Sequence, residues 1–155
     1  MTRSGGALPE GALDAAGRAL LARMDPDHGG FGGAPKFPSV PALALLWRFS
    51  QAGSAADDAD LAADRATAAE AVAFTLVQTV RGGVYDHLAG GWHRYATDAA
   101  WHVPHFEKML YDQALLIPLC VEVAERRGLP ELDDAAQRAA DWVLEIGRAS
   151  CRERV

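Results

Sequence analysis

The hydrophobic residues of this sequence recur at intervals of three and four positions along most of its length. This spacing places them on one face of an α-helix. The pattern predicts five helices, in segments 8–24, 39–50, 61–81, 106–127 and from 130 onward. The third helix shows the stripe most clearly, at Leu61, Arg65, Ala69, Val72, Leu76 and Val80. No segment alternates steadily between apolar and polar residues, although GGWHRYA at 90–96 could form a small hairpin.

Capping residues support several of these helix boundaries. Ser39 can cap the second helix, and Pro41 suits its first turn. Gly82 and Gly83 can end the third helix, and Gly128 can end the fourth. The sequence therefore predicts an all-α fold with long glycine-rich loops between its helices.

A weak internal repeat suggests how these helices are organised. HGGF at 28–31 follows the first helix, and RGGVY at 81–85 follows the next helix pair. Helical hairpins that end in similar loops are typical of repeat architectures, including the α/α toroid. Five helices would form less than half of a twelve-helix toroid. A simple helical bundle would give the same periodicity, so the pattern leaves both architectures open.

Composition and charge narrow the class of protein. The chain has 155 residues, half of them hydrophobic, and a formal net charge of −6. Acidic and basic residues are interspersed without a basic stripe, so we expect neither nucleic acid nor a membrane as a partner. We find no run of 18 apolar residues and no apolar signal-peptide core, and we therefore expect a cytoplasmic protein.

The end of the chain differs from the rest. EIGRASCRERV at 145–155 carries no hydrophobic period. Its back-translation resembles a sequencing-library adapter, so we interpret 145–155 as an artefact and 1–144 as part of one domain. Cys120 lies within an apolar run and is expected to be a small buried residue rather than a disulfide partner.

Two loop segments, 28–38 and 82–112, concentrate glycine, aromatic and ionisable residues. Glycines there either turn the chain or let a ligand approach the backbone closely. Aromatic rings beside polar groups suit a sugar-binding cleft, but they also pack long loops onto helices. His102 and His105 could suggest a metal site, yet Pro104 separates them and no metal-binding motif accompanies them. We expect no metal and no cofactor.

The start of the fourth helix, WHVPHFEKMLYDQ at 101–113, is unusually rich in ionisable residues. On a helix beginning near His105, the side chains of His105, Lys108 and Asp112 would share a stripe. One interpretation is that these charges pair with one another and with Arg94 to brace the loop. The other is that the helix begins at a cleft, where its dipole favours an ionised Glu107 and His105 can transfer a proton.

Three blocks in this chain resemble a known family. GGFGGAPKFP at 29–38, GGVYDHLAGGWHRYATD at 82–98 and WHVPHFEKMLYDQA at 101–114 closely resemble the spermatogenesis-associated protein 20-like family, also described as YyaL-like thioredoxin domain-containing proteins. The blocks occur in order, and the similarity spans roughly residues 10–144. The resemblance implies an (α/α)6 toroid of the six-hairpin glycosidase type, of which this chain would hold about five helices. It also implies an N-terminal thioredoxin-like domain, which this chain lacks, as a partner.

The resemblance implies a cleft for a small sugar at the glycine-loop end of the toroid. Glycosidase chemistry would use carboxylates, for which Asp86, Asp98 and Glu107 are available. Epimerase chemistry would use histidines, for which His93 and His105 are available. The expected catalytic set is His105, Glu107, Asp86 and His93. The expected substrate-binding set is Lys36, Phe37, Tyr85, Arg94, Trp92 and Asp112.

The leading expectation is therefore part of a carbohydrate-active domain, glycosidase-like or epimerase-like. Whether the chain is an enzyme stays open. The alternative is a non-catalytic binding or scaffold module that serves a thioredoxin-like redox domain.

Overall fold

The fold is all-α, as predicted. The computed structural model describes residues 9, 11–53 and 58–152, with side chains described as far as residue 146. Within these ranges the chain forms five helices and one small antiparallel pair of strands. The helices are α1 (Ala12–Leu21), α2 (Val40–Gln51), α3 (Ala59–Arg81), α4 (Leu110–Arg127) and α5 (Pro130–Arg152), and the strands are β1 (Tyr95–Ala96) and β2 (Pro104–His105).

Most helix ends lie where the sequence placed them. Pro41 occupies the first turn of α2 after Ser39, although the Ser39 hydroxyl makes no capping hydrogen bond. Helix α3 ends at Gly82. Gly128 ends α4 in the left-handed conformation, at φ 66°, which glycine adopts without strain. Helix α5 continues to Arg152, so the helical backbone extends into the segment that we interpreted as an artefact.

The start of α4 was predicted wrongly. The helix begins at Leu110, not near residue 106, because Pro104 and His105 form β2 and the Glu107 carbonyl accepts from the Arg94 N–H. A helix starting near residue 106 would direct Phe106 and Leu110 inward, yet their exposed fractions are 79% and 65%. Gln113 and Leu116 are buried instead. The predicted dipole interaction between α4 and Glu107 is lost with this change.

The helices form two layers. Helices α1, α3 and α5 form one layer, in which α3 contacts both of the others, and α2 and α4 form the second layer. The two layers contact each other where consecutive helices pack, most extensively α2 on α3 and α4 on α5. The predicted stripe on α3 is buried at Ala69, Val72, Leu76 and Val80. Cys120 on α4 is fully buried with a free thiol, and burial raises its pKa well above the usual range. This helical scaffold holds the loops 22–39 and 82–109.

The internal repeat has a different alignment from the predicted one. DPDHGGF at 25–31 and DHLAGGW at 86–92 adopt the same backbone hydrogen-bond pattern. In each loop the N–H of the leading aspartate donates to the carbonyl of the second glycine. The carbonyl of the same aspartate accepts from the N–H of the first glycine. The residues that flank the loops pair as isolated bridges, Met24 with Phe31 and Tyr85 with Trp92. Thus HGGF corresponds to AGGW at 89–92, not to RGGVY.

Candidate functional site

The first repeated loop is fastened by a buried ion pair. The Asp25 carboxylate accepts hydrogen bonds from the backbone N–H groups of Asp27 and His28, at 2.9 and 3.0 Å. Its other oxygen pairs with the Lys36 ammonium, which is fully buried. Burial alone would raise the pKa of Asp25, but Lys36 and the two amides outweigh it and hold this pKa at about 2. The carboxylate therefore stays ionised and fixes the loop.

Lys36 also connects this loop to a more distant segment. Its ammonium donates to the Ala99 carbonyl at 2.9 Å and lies 5.3 Å from the centroid of the buried Trp101 ring. The Trp101 indole N–H donates to the His28 carbonyl at 2.8 Å. Lys36, which the sequence placed in the substrate-binding set, thus has its ammonium engaged inside the fold.

The second loop repeats this arrangement around Asp86. Its carboxylate accepts from the amides of Leu88 and Ala89 at 2.9 and 3.0 Å. The Lys108 ammonium pairs with it at 2.7 Å, donates to the Gly90 carbonyl, and lies 4.5 Å from the Trp142 ring centroid. Burial would raise the pKa of Asp86, but Lys108 and the amides lower it well below the usual range. Asp86 is therefore an ionised, internally satisfied carboxylate.

The two aromatic residues beside this second loop lie in the core. Tyr85 is almost fully buried, and its hydroxyl donates to the Ala135 carbonyl at 3.0 Å. Trp92 is fully buried and packs edge-on against Tyr85, with ring centroids 5.0 Å apart. Both were expected to bind substrate, and the structure places both rings away from solvent.

A different group of predicted residues comes together at the strand pair. Tyr95 pairs with His105 in register, and the Arg94 N–H donates to the Glu107 carbonyl at 2.7 Å. The Arg94 guanidinium donates to a Glu107 carboxylate oxygen at 3.0 Å. The same oxygen lies 3.6 Å from His105 Nδ1. This ladder brings Arg94, His105 and Glu107 into one partly exposed cluster.

An aromatic stack adjoins the cluster. The Tyr95 ring stacks on the His105 ring with centroids 4.7 Å apart and planes inclined by 17°. Phe37 packs on Tyr95, also at 4.7 Å. Phe37 retains an exposed fraction of 42%, so this end of the stack is open to solvent.

A cleft of about 190 Å³ lies beside the open end of the stack. Its lining residues come from the loop before α2, the start of α2, the strand region and the first turns of α4. They are Phe37, Pro38, Ser39, Val40, Pro41, Arg94, Tyr111, Asp112 and Leu115. The cleft thus combines aromatic and proline surfaces with one guanidinium and one carboxyl group.

The two carboxyl groups near Arg94 differ in environment. Glu107 is about half exposed and pairs directly with Arg94. Asp112 is partly buried, and burial raises its pKa although the Arg94 charge opposes this. A carboxyl group whose pKa is raised by burial, as for Asp112, is suited to donate a proton.

His93 occupies a separate, buried position. It is 7% exposed, packs edge-on against Phe106 at 5.5 Å, and its Nδ1 atom has no hydrogen-bond partner among the described residues. Burial lowers the pKa of His93, which favours the neutral imidazole. Asp98, the remaining sequence candidate, uses its carboxylate to accept from the amides of Ala100, His102 and Val103.

Two aromatic residues of the cleft and the stack, Tyr95 and Tyr111, were absent from the predicted site sets. Tyr95 is one of several aromatic residues in the loop segment 82–112. Its alternation with Arg94 along a strand would have placed the two side chains on opposite faces, but the strand is too short to give a periodic signal. Tyr111 would lie one turn after Glu107 on a helix that included both residues, but α4 begins at Leu110 and leaves Glu107 outside the helix.

The described residues contain neither a candidate metal cluster nor a candidate membrane-spanning helix. No group of three or more His, Cys, Asp and Glu side chains within residues 11–53 and 58–146 is arranged to hold a metal ion. None of the described helices combines the length and apolar character that crossing a bilayer requires.

Several known proteins with sequences similar to this chain carry the same name. Human spermatogenesis-associated protein 20 is 38% identical to this chain over 119 residues, which is 77% of this chain and 14% of the human protein. The rat protein of the same name is 37% identical over 119 residues. The chain therefore has homologues named spermatogenesis-associated protein 20. An uncharacterized protein of Caenorhabditis elegans is 42% identical over 94 residues, which is 61% of this chain and 12% of that protein.

The chain spans only 14% of the length of its human and rat homologues. No family model matches the chain. The similarity therefore establishes a relationship to one segment of these proteins.

Proposed function

We propose that the chain is a segment of a spermatogenesis-associated protein 20-like protein and contributes a sugar-binding cleft to a carbohydrate-active, six-hairpin glycosidase-like domain. The observation that carries this proposal is the cleft beside Phe37, where Arg94 and Asp112 meet the aromatic stack. A sugar ring has apolar C–H faces and a polar rim. Aromatic surface can pack on the faces while a guanidinium and carboxyl groups bind the hydroxyls.

The arrangement of the helices supports a toroid segment. Successive hairpins place alternate helices in two layers, α1, α3 and α5 in one and α2 and α4 in the other. The two repeated loops precede α2 and α4, so equivalent loops lie at equivalent places in successive hairpins. Stacked repeats with their loops at one end form the kind of concave site that solenoid and toroid proteins use.

The residues available for chemistry are Glu107, His105 and Asp112. In a glycosidase scheme, Asp112 would donate a proton to the leaving oxygen and Glu107 would act as the ionised carboxylate. Asp112 replaces Asp86 in this role because Lys108 and backbone amides keep Asp86 ionised. In an epimerase scheme, His105 would remove a proton next to a carbonyl, with the Glu107 carboxylate 3.6 Å from its Nδ1 atom.

The binding step can be tested on the 155-residue chain by NMR titration with a panel of neutral mono- and disaccharides. We expect saturable shifts of the Phe37, Tyr95 and Tyr111 ring signals with at least one sugar. Phe37→Ala should weaken that binding about five- to tenfold, the effect of losing one aromatic packing contact. Phe74→Ala is a matched control, since Phe74 has a similar exposed fraction of 37% and lies outside the cleft.

Two results would overturn the proposal. One is that no sugar shifts the cleft signals of the folded chain. The other is that Phe74→Ala weakens binding as much as Phe37→Ala. Incubation of a bound reducing sugar in D₂O then separates the two chemistries, because only epimerisation exchanges the hydrogen next to the carbonyl for deuterium.

A second candidate function is a binding module for another domain, such as the thioredoxin-like domain of the family. It is favoured by large exposed apolar side chains before and within the start of α4. Phe106, Leu110 and Leu115 have exposed fractions of 79%, 65% and 45%, and Leu115 lines the cleft. Contiguous exposed apolar surface often marks a contact with another protein or domain. Adding a separately expressed thioredoxin-like domain from a homologue should then shift the signals of these three residues. Shifts confined to added sugar would argue against this candidate.

A further inference from the structure

The charges around the cleft restrict the class of sugar that it can accept, if the proposed sugar-binding function holds. Arg94 is the cationic side chain among the described lining residues. It already donates to Glu107 at 3.0 Å, and Asp112 adds a second acidic group to the lining. The nearby Lys36 and Lys108 ammoniums are engaged with Asp25 and Asp86 and are almost fully enclosed.

Helix N-termini could also bind an anion, and α2 begins at the cleft. The first backbone N–H groups of a helix ordinarily attract phosphate or carboxylate. In α2, Pro41 has no N–H, and the amides of Ala42 and Leu43 both donate to the Ser39 carbonyl. The first turn of α2 therefore offers few free backbone N–H groups to an anion.

Helix α4 begins on the opposite side of the cleft and is equally unsuited to an anion. Asp112 lies in its first turn, where its carboxyl group occupies the positive end of the helix dipole. The amides of Asp112 and Gln113 donate to the Met109 carbonyl. An added phosphate would thus meet acidic side chains rather than free donors.

We infer that the cleft selects uncharged sugars over phosphorylated or acidic sugars, with the Glu107–Arg94 pair acting as the specificity determinant. Phosphate and carboxylate recognition usually needs an Arg fork free to donate two hydrogen bonds. Glu107 already accepts a hydrogen bond from one nitrogen of that fork, Nη1, and its carboxylate offsets the Arg94 charge. A neutral sugar can still accept from the remaining guanidinium N–H groups and donate to Asp112, with no charge to desolvate.

The test compares each neutral sugar that binds with its 6-phosphate and its uronic acid, by NMR titration of the 155-residue chain at pH 7. We expect the charged forms to bind at least tenfold more weakly. Glu107→Gln releases Arg94 while keeping a side chain of the same size. It should reduce the ratio of the neutral sugar's affinity to the charged form's affinity to threefold or less.

Glu131→Gln is the matched control. Glu131 pairs with Arg81 on the surface between α3 and α5 at 2.9 Å, so its substitution also releases an arginine, but outside the cleft lining. The ratio should stay at the wild-type value in this variant. Equal or tighter binding of the 6-phosphate by the wild-type chain would overturn the inference while leaving the proposed function standing. Failure of every sugar, neutral or charged, to bind would instead overturn the proposed function, and this inference with it.

Discussion

Asp25 and Asp86 occupy the same position in two copies of one loop. Each carboxylate accepts from the amides two and three residues ahead and pairs with a lysine that lies over a tryptophan ring. The lysines are Lys36 and Lys108. Each copy therefore forms a small ionic core under a glycine-rich loop, and these two cores hold the loops from which the candidate cleft is built.

Loss of either lysine should destabilise the fold strongly. Lys36→Met keeps much of the side-chain length but leaves the Asp25 carboxylate without its cation. Removing one partner of a buried ion pair typically costs about 3–5 kcal/mol. We expect a loss of about 3 kcal/mol in the free energy of unfolding, measured by urea denaturation, for Lys36→Met. Lys108→Met should behave similarly.

The control for this prediction is Arg126→Met. Arg126 pairs with Glu122 at 3.7 Å on the exposed face of α4, and such pairs usually contribute less than about 1 kcal/mol. A Lys36→Met variant no less stable than Arg126→Met would show that the buried pair contributes nothing. The double variant Asp25→Asn with Lys36→Met should recover part of the loss.

The Asp25 carboxyl should make stability depend on pH in the acidic range. Its pKa is about 2 in the folded protein, below the ordinary value of 3.8. A depressed pKa means that the stabilisation is complete above about pH 4 and is lost as pH falls toward 2. After allowance for solvent around the carboxylate, we expect a loss of about 1–2 kcal/mol between pH 4 and pH 2.

The measurement is urea denaturation at intervals from pH 5 to pH 2, for the wild type and Asp25→Asn. Since other carboxyl groups titrate in the same range, the informative quantity is the difference between the two curves. The asparagine variant should be less stable at pH 5, and the two curves should converge at low pH. Parallel curves over the whole range would contradict the depressed pKa.

Gly29 and Gly32 should respond differently to alanine. Both have φ near 72°, a conformation that costs a residue with a side chain about 1 kcal/mol. A Cβ at Gly29 would lie 2.8 Å from the Thr75 Cα, whereas a Cβ at Gly32 meets nothing within 4 Å. Gly32→Ala should therefore cost about 1 kcal/mol in unfolding free energy, and Gly29→Ala at least twice as much. Equal losses in the two variants would show that loop packing on α3 is not constrained at Gly29.

The helices were predictable because their signals are local. The apolar stripe of α3 from Ala69 to Val80 and the glycine caps at Gly82 and Gly128 depend on residues within a few turns of one another. The start of α4 was not predictable in this way. Residues 104–107 pair with the backbone of 94–96, and two-residue strands held by such distant partners leave no period in the sequence.

The candidate site was predictable only in part, for the same reason. The resemblance directed attention to the loops beside the candidate cleft, and Arg94, His105 and Glu107 do lie together. Tertiary packing decides which side chains of those loops line the cleft and which are buried in the core. Lys36 is fully buried against Trp101. Nothing in the sequence around this long polar side chain, which lies in a glycine-rich loop, predicts that burial.

Gln113 should prove essential for attaching the second loop to α4. Its side chain is fully buried, and its amide oxygen accepts from the Trp92 N–H at 2.9 Å while its amide nitrogen donates to the Trp92 carbonyl at 2.6 Å. Gln113→Leu would leave two buried backbone groups unpaired, each at a cost of about 1–3 kcal/mol. We expect a loss of about 3 kcal/mol in urea denaturation. Gln137→Leu, on the exposed face of α5, is the matched control and should change stability by less than about 0.5 kcal/mol.

Gln113→Glu extends this test through pH. The new carboxyl group can donate to the Trp92 carbonyl only when protonated, and burial among backbone groups should raise its pKa above the unfolded value of about 4.3. A raised pKa means that the stabilising interaction is present below about pH 4 and is lost as pH rises through the folded pKa. The variant should therefore approach wild-type stability near pH 4.5 and lose about 2–3 kcal/mol at pH 7. A difference from wild type that is the same at both pH values would indicate that the side chain of residue 113 does not pair with the Trp92 carbonyl.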